Sequence, residues 1–204
     1  MKTTFQRVNL AAGITAVVIV AIGALVIGHA IMNDGSTKPT TEQETAAAVQ
    51  TLRNRSNLED AEAQLHSAVE QIAAVATELV PGIQWEWIDD HARLDCSQPF
   101  DKTNGRMARL QNRWARYTPI PEDVWPQFLE RARVIAAGVG ATSPQTMKDS
   151  SGTPEGQRAH DVWFYNETEG TTIKIASDRA TIISGETGCH LPQANFNDPV
   201  RPTP

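Results

Sequence analysis

The sequence predicts an α+β fold: two main amphipathic helices packed on one face of an antiparallel sheet, preceded by a single transmembrane helix. Three observations predict it. An uncharged apolar run lies near the amino terminus. Two segments carry apolar residues at three- and four-residue steps. After residue 140 the chain breaks into short, closely spaced β segments.

The run Leu10 to Ile27 contains no charge and is trailed by Gly28, His29, Ala30, Ile31 and Met32. As a helix it spans roughly 27 Å at 1.5 Å per residue, close to a hydrocarbon core of about 30 Å. A cleaved signal peptide is the competing reading, and Gly28-His29-Ala30 offers it small residues. Its apolar region would ordinarily be only about 7–15 residues, so a retained signal-anchor is expected. Lys2 and Arg7 then stay inside, and Asp34 onward lies outside, at the cell membrane.

Residues 33–40 read as a polar linker. Thr41-x-x-Glu44 is a capping-box pattern that opens a short Ala-rich helix to about Arg53, and Ser56-x-x-Glu59 repeats the signature. Leu58, Ala61, Leu65, Val69, Ile72, Ala76 and Leu79 then form the apolar stripe of a long helix that Pro81-Gly82 stops. Ile83 to Ile88 alternates and reads as a half-buried strand, with Ile83, Trp85 and Trp87 on one face. Asp89 to Gly105 reads as a polar loop carrying Cys96.

Residues 106–118 admit two readings. Arg106, Arg109, Arg113 and Arg116 sit at helical spacing, as do Met107, Leu110, Trp114 and Tyr117. Asn104-Gly105 before them and Pro119-Ile120-Pro121 after them suit a strand equally well. The prolines then set up a second main helix with Val124, Phe128, Ala132 and Ile135 on its apolar face, ended by Gly138 and Gly140. Thr142 to Met147, His160 to Tyr165, Thr172 to Ile175 and Ala180 to Ser184 are the strands of a meander. Asp149 to Gly156, Glu167 to Gly170 and Ser177 to Arg179 form its turns. The domain is thus expected over 41–190, and the proline-bearing residues 191–204 as a disordered tail.

Lys2 and Arg7 give residues 1–32 a charge of +2, which leaves −8 on the remainder of a chain whose total is −6. An acidic domain excludes nonspecific nucleic-acid binding, which runs on cations neutralising phosphates. The two cysteines, Cys96 and Cys189, are expected to form one disulfide in an oxidising compartment.

No catalytic, cofactor or metal motif stands out. Asp89-Asp90-His91 with Asp95 outlines a cation site but lacks the dense, glycine-punctuated ligand spacing of an EF-hand, and reads as a solvated loop. His160-Asp161 cannot pair simply, because adjacent strand residues point to opposite faces. His66 reads as a boundary residue of the long helix, and the disulfide explains Cys189 better than coordination with His190 does. The five tryptophans, Trp85, Trp87, Trp114, Trp125 and Trp163, read as core and edge packing or as an aromatic surface for glycan, lipid or protein. The one basic stretch is a candidate interaction patch: Arg106, Arg109, Arg113, Arg116 and Trp114.

The succession of Ser56-Asn57-Leu58-Glu59-Asp60-Ala61, a Pro-Gly stop, a Trp-bearing strand and Cys96 is distinctive. A helix ending in Gly140-Ala141-Thr142, a meander and Thr187-Gly188-Cys189 follow. Over roughly residues 50–192 this order resembles the LppA-type lipoproteins of mycobacteria. The resemblance implies an envelope location, the lone pair Cys96 and Cys189, and no known activity or catalytic residues. It tilts residues 106–118 towards strand. Members of that family typically carry an acylated lipobox cysteine, whereas no cysteine precedes Cys96 here, so the expected anchor is the protein segment 10–32.

The function expected is non-enzymatic binding of an envelope protein, glycan or wall component. One alternative is a carrier holding a lipid or small apolar ligand in a cavity between helices and sheet. The other is a prophage-type superinfection-exclusion protein.

Overall fold

The computed structural model describes residues 38–148 and 159–201. The apolar run at 10–32, most of the linker and the loop at 149–156 lie outside the described residues. Among the described residues no helix is long and apolar enough to cross a membrane.

Helix α1 (Glu42–Arg53) starts where the capping box predicts. The Thr41 hydroxyl accepts from the Glu44 amide, and the Glu44 carboxylate accepts from the Thr41 amide at 2.8 Å. Helix α2 (Leu58–Leu79) is capped one residue later than expected, by Asn57, whose side chain accepts from the Asp60 amide at 2.7 Å. Glu59, the expected box partner of Ser56, instead accepts from Arg93 and from the backbone of Gln193. The predicted stripe of α2 is its buried face, and the chain leaves through Gly82 at φ +91°. Helix α3 (Trp125–Gly138) has Pro126 in its first turn and buries Trp125, Phe128, Ala132 and Ala136.

Eight strands form one antiparallel sheet: β1 (Glu86–Ile88), β2 (Ala92–Asp95), β3 (Arg106–Arg109), β4 (Asn112–Ala115), β5 (Ser143–Lys148), β6 (His160–Tyr165), β7 (Thr172–Ser177) and β8 (Thr181–Glu186). The main order is β1-β4-β8-β7-β6-β5, with β2 paired to β3 and β3 to the end of β8. The expected loop Asp89–Gly105 therefore contains a strand. The ambiguous segment is two strands, not a helix. Both run along β8, and the register slips by one residue across Leu110–Gln111, between Arg113 opposite Ile183 and Arg109 opposite Glu186.

Helices α2 and α3 bury one face of this sheet. Leu65, Val69, Ile72 and Phe128 meet Phe164, Ile173, Ile175 and Ile183, each at most 1% exposed. Their contacts fill the space between the layers. A second cluster holds the N- and C-terminal parts together: Leu52 of α1, Leu191 and the Cys96–Cys189 disulfide, flanked by Phe100, Met107 and Phe196. This corrects the expected disordered tail. Leu191 is fully buried, Val200 bridges to Thr103, and Arg201 pairs with Asp95 at 3.0 Å. Residues 191–201 are an ordered arm of the domain.

Candidate binding surface

Strand alternation puts the other half of the sheet's side chains on the face away from α2 and α3. There the pairing register lines up Trp114, Ile182, Ala176 and Asp161 in one row across β4, β8, β7 and β6. The next row runs Ser184, Lys174, Trp163 and Gln145. Trp114, Ile182, Ala176, Lys174 and Trp163 are all half-buried, which leaves their upper edges to solvent. Trp163 is fixed in place: its indole N–H donates to Asp161 at 2.6 Å, Lys174 Nζ lies 4.3 Å from its ring centroid, and Tyr165 tilts against it at 5.8 Å. Three strand steps of about 4.8 Å and an offset of two residues along the strand put Trp114 and Trp163 about 16 Å apart.

The predicted arginine patch is dispersed over this architecture. Arg106 pairs with its cross-strand neighbour Asp95 at 3.0 Å, and Arg109 with Glu186 at 2.9 Å. Arg113 points to the helix side, 3.6 Å from Glu70 of α2 and stacked 4.8 Å from the Trp87 ring. Arg116 lies over the rings of Trp114 and Tyr117, 5.6 Å and 4.7 Å from their centroids, and donates to the Tyr117 hydroxyl at 2.9 Å. Of the five residues singled out, the structure brings only Trp114 and Arg116 together. Trp163, Lys174 and Ile182 join them on the open face, and Tyr117 lies against Arg116 in the turn after β4. The alternation of β6 to β8 carries that information once the inner set is assigned.

The remaining tryptophans have packing roles. Trp87 stacks on His66 at 5.0 Å, Trp85 donates to the Thr77 hydroxyl, and Trp125 lies in the core. Three of the four residues of the outlined cation loop are engaged internally. Asp89 accepts from Asn112, His91 pairs with Glu62 at 2.8 Å, and Asp95 takes Arg106 and Arg201. Among the described residues no group of three His, Cys, Asp or Glu could hold a metal. His160 turns away from Asp161, stacks on Trp125 at 4.1 Å and sits 2.9 Å from Glu122. His190 is buried beside the disulfide, with Nδ1 3.0 Å from the Ser56 carbonyl, and burial pushes its pKa below the ordinary imidazole value.

Two neighbouring cavities of about 500 and 480 Å³ lie along the outer groove between α2 and α3, sharing Gln71, Val134 and Ile135. This is not the space between helices and sheet expected of a ligand carrier, which the buried side chains named above occupy.

The family described as a lipoprotein confined to pathogenic Mycobacterium, LppA, matches residues 33–193. The chain belongs to the LppA family. The crystal structure of LppA from Mycobacterium tuberculosis aligns with 80% of this chain and 94% of its own at 19% identity and a TM-score of 0.56, so the LppA fold is shared. A DUF4853 family protein from Actinomyces odontolyticus aligns at 11% identity over 74% of this chain and 79% of its own, with a TM-score of 0.39. None of the curated proteins matches the chain.

Proposed function

We propose that this LppA-family chain is a membrane-held envelope protein that binds an envelope partner, without catalysis, through the open face of its sheet. Residues 10–32 are the anchor, with Lys2 and Arg7 on the cytoplasmic side, and 33–40 the tether. The observation that carries the reading is the chemistry of the face left uncovered by α2 and α3. A sheet face that only meets water is ordinarily polar. This one presents Trp114, Trp163, Tyr165 and Ile182, and aromatic rings with a polar tip are enriched where proteins meet partners.

Two observations support the location. The Cys96–Cys189 disulfide suits an oxidising compartment, and the family is described as a lipoprotein, which suggests envelope association. The pairing of Cys96 with Cys189 is consistent with the apolar run serving as the anchor.

A photoreactive amino acid at Ile182, introduced into the full chain in intact cells, tests this reading. Membrane-fraction adducts from position 182, and none from Val134 in the helix groove, are expected. Adducts from 134 alone, or a cytosolic chain with reduced cysteines, would reject it.

A further inference from the structure

Resting on that reading, the geometry points to a subsite for a negatively charged sugar: a pyranose ring stacks beside Trp114 and Tyr117 while its carboxylate or phosphate is taken by Arg116. Arg106, Arg109 and Arg113 each meet a carboxylate, respectively Asp95, Glu186 and Glu70. Arg116 meets none among the described residues. Its partners are the two rings and the Tyr117 hydroxyl. A guanidinium placed against aromatic rings, with one N–H on the Tyr117 hydroxyl, keeps its other N–H groups for an oxyanion.

The turn that builds this arrangement is held under strain. Tyr117 has φ +53°, a backbone region that bulky residues seldom adopt, and is 75% exposed. It is fixed there from below. The Thr118 carbonyl accepts from the buried Thr181 hydroxyl at 2.9 Å, and the Thr118 hydroxyl donates to the Arg116 carbonyl at 3.1 Å. A strained residue that exposes its aromatic ring beside an uncompensated arginine is a feature of binding sites, since packing alone gains little from it. Arg179 is exposed in the β7–β8 turn, at the same end of the sheet because Ala115 pairs with Thr181, but the equally exposed Asp178 beside it offsets its charge. The acids nearest in the pairing scheme are Asp178, beside Arg179 in the same turn, and Glu86 opposite Trp114.

A glycan fits this surface better than an acyl chain or an anionic bilayer. Sugar rings offer flat C–H faces to indoles, and Trp114 and Trp163 stand several sugar residues' width apart. Between them Ile182 and Ala176 alternate with Ser184 and Lys174, so no continuous apolar strip is present. The domain's overall acidity opposes lying flat on an anionic membrane, whereas a local arginine reads a single charge.

The full chain in a neutral detergent is titrated with oligogalacturonate (carboxylate), phosphomannan (phosphate) and unsubstituted mannan. Phosphatidylglycerol vesicles are run in parallel on chain reconstituted in neutral nanodiscs. At least one acidic glycan is expected to bind at least tenfold more tightly than mannan. Arg116→Gln abolishes that preference, and the exposed position lets the variant melt as the parent does. If Trp114→Ala and Trp163→Ala lose glycan binding but Arg116→Gln does not, the anion subsite is overturned and the open face stands. If none of the three changes binding, both readings fall. Vesicle binding that needs Arg116, with no glycan binding, replaces the sugar by a lipid headgroup and overturns the proposal.

Discussion

The guanidinium of Arg55 donates to the carbonyl of the disulfide-bonded Cys189 at 2.7 Å. The same side chain reaches the carbonyls of Glu169 and Thr168 and stacks 5.2 Å from the Phe100 ring. One residue between α1 and α2 thereby ties the helical part, the Cys96 loop and the β6–β7 turn together. Burial lowers its pKa and nearby Glu169 works the other way, yet an arginine remains charged throughout the accessible range. Arg55→Ala is expected to lower unfolding free energy by about 2–3 kcal/mol, since charged hydrogen bonds to part-buried carbonyls are lost. Arg55→Lys should recover less than half, because an ammonium cannot serve three carbonyls as the fork does. Urea denaturation of the three chains checks both.

The disulfide closes a loop with a sequence separation of 93 residues, so it restrains the unfolded chain strongly. The Cys96→Ala, Cys189→Ala double variant should lose about 2–5 kcal/mol, read from the shift in urea midpoint. Because Leu52 and Leu191 pack on the sulfurs, protection of the arm 191–201 from proteolysis should fall first.

His190 gives the fold an acid-sensitive point. Burial first, partly countered by the Ser56 carbonyl, holds its folded pKa below the unfolded value of 6.5. The unfolded chain then binds more protons, so this contribution to stability is present above pH 6.5 and declines as pH falls through the lower folded value. His190→Asn, whose amide can replace the Nδ1–H donor, should show a shallower loss of Tm between about pH 7.5 and about pH 5 than the parent. Equal slopes would remove His190 from that role.

Local chemistry was legible in the sequence, and long-range chemistry was not. The capping box of Thr41 and Glu44 acts within four residues and is found as expected. Its copy at Ser56 and Glu59 shifted to Asn57 and Asp60 because Glu59 serves Arg93 and Gln193, which are distant in sequence. The arginine spacing imitated a helix, but residues three apart in a strand lie on opposite faces, as Arg106 and Arg109 of β3 do. Strand β2 escaped notice as a four-residue, half-exposed edge without β-branched residues. The prolines of residues 191–201 read as disorder, while partners at Thr103, Asn104 and Asp95 order them. The tryptophan count suited core and edge packing as well as a surface, and only the register separates Trp114 and Trp163 from Trp85, Trp87 and Trp125.

That separation supplies the most direct test of the open face as the working surface. The indole N–H resonances of the five tryptophans are followed by nuclear magnetic resonance while solubilised cell-wall polysaccharide is added to the full chain in detergent. The Trp114 and Trp163 signals should move together, and those of Trp85, Trp87 and Trp125 should stay in place. Movement confined to the latter three, with Trp114 and Trp163 unchanged, would contradict the account.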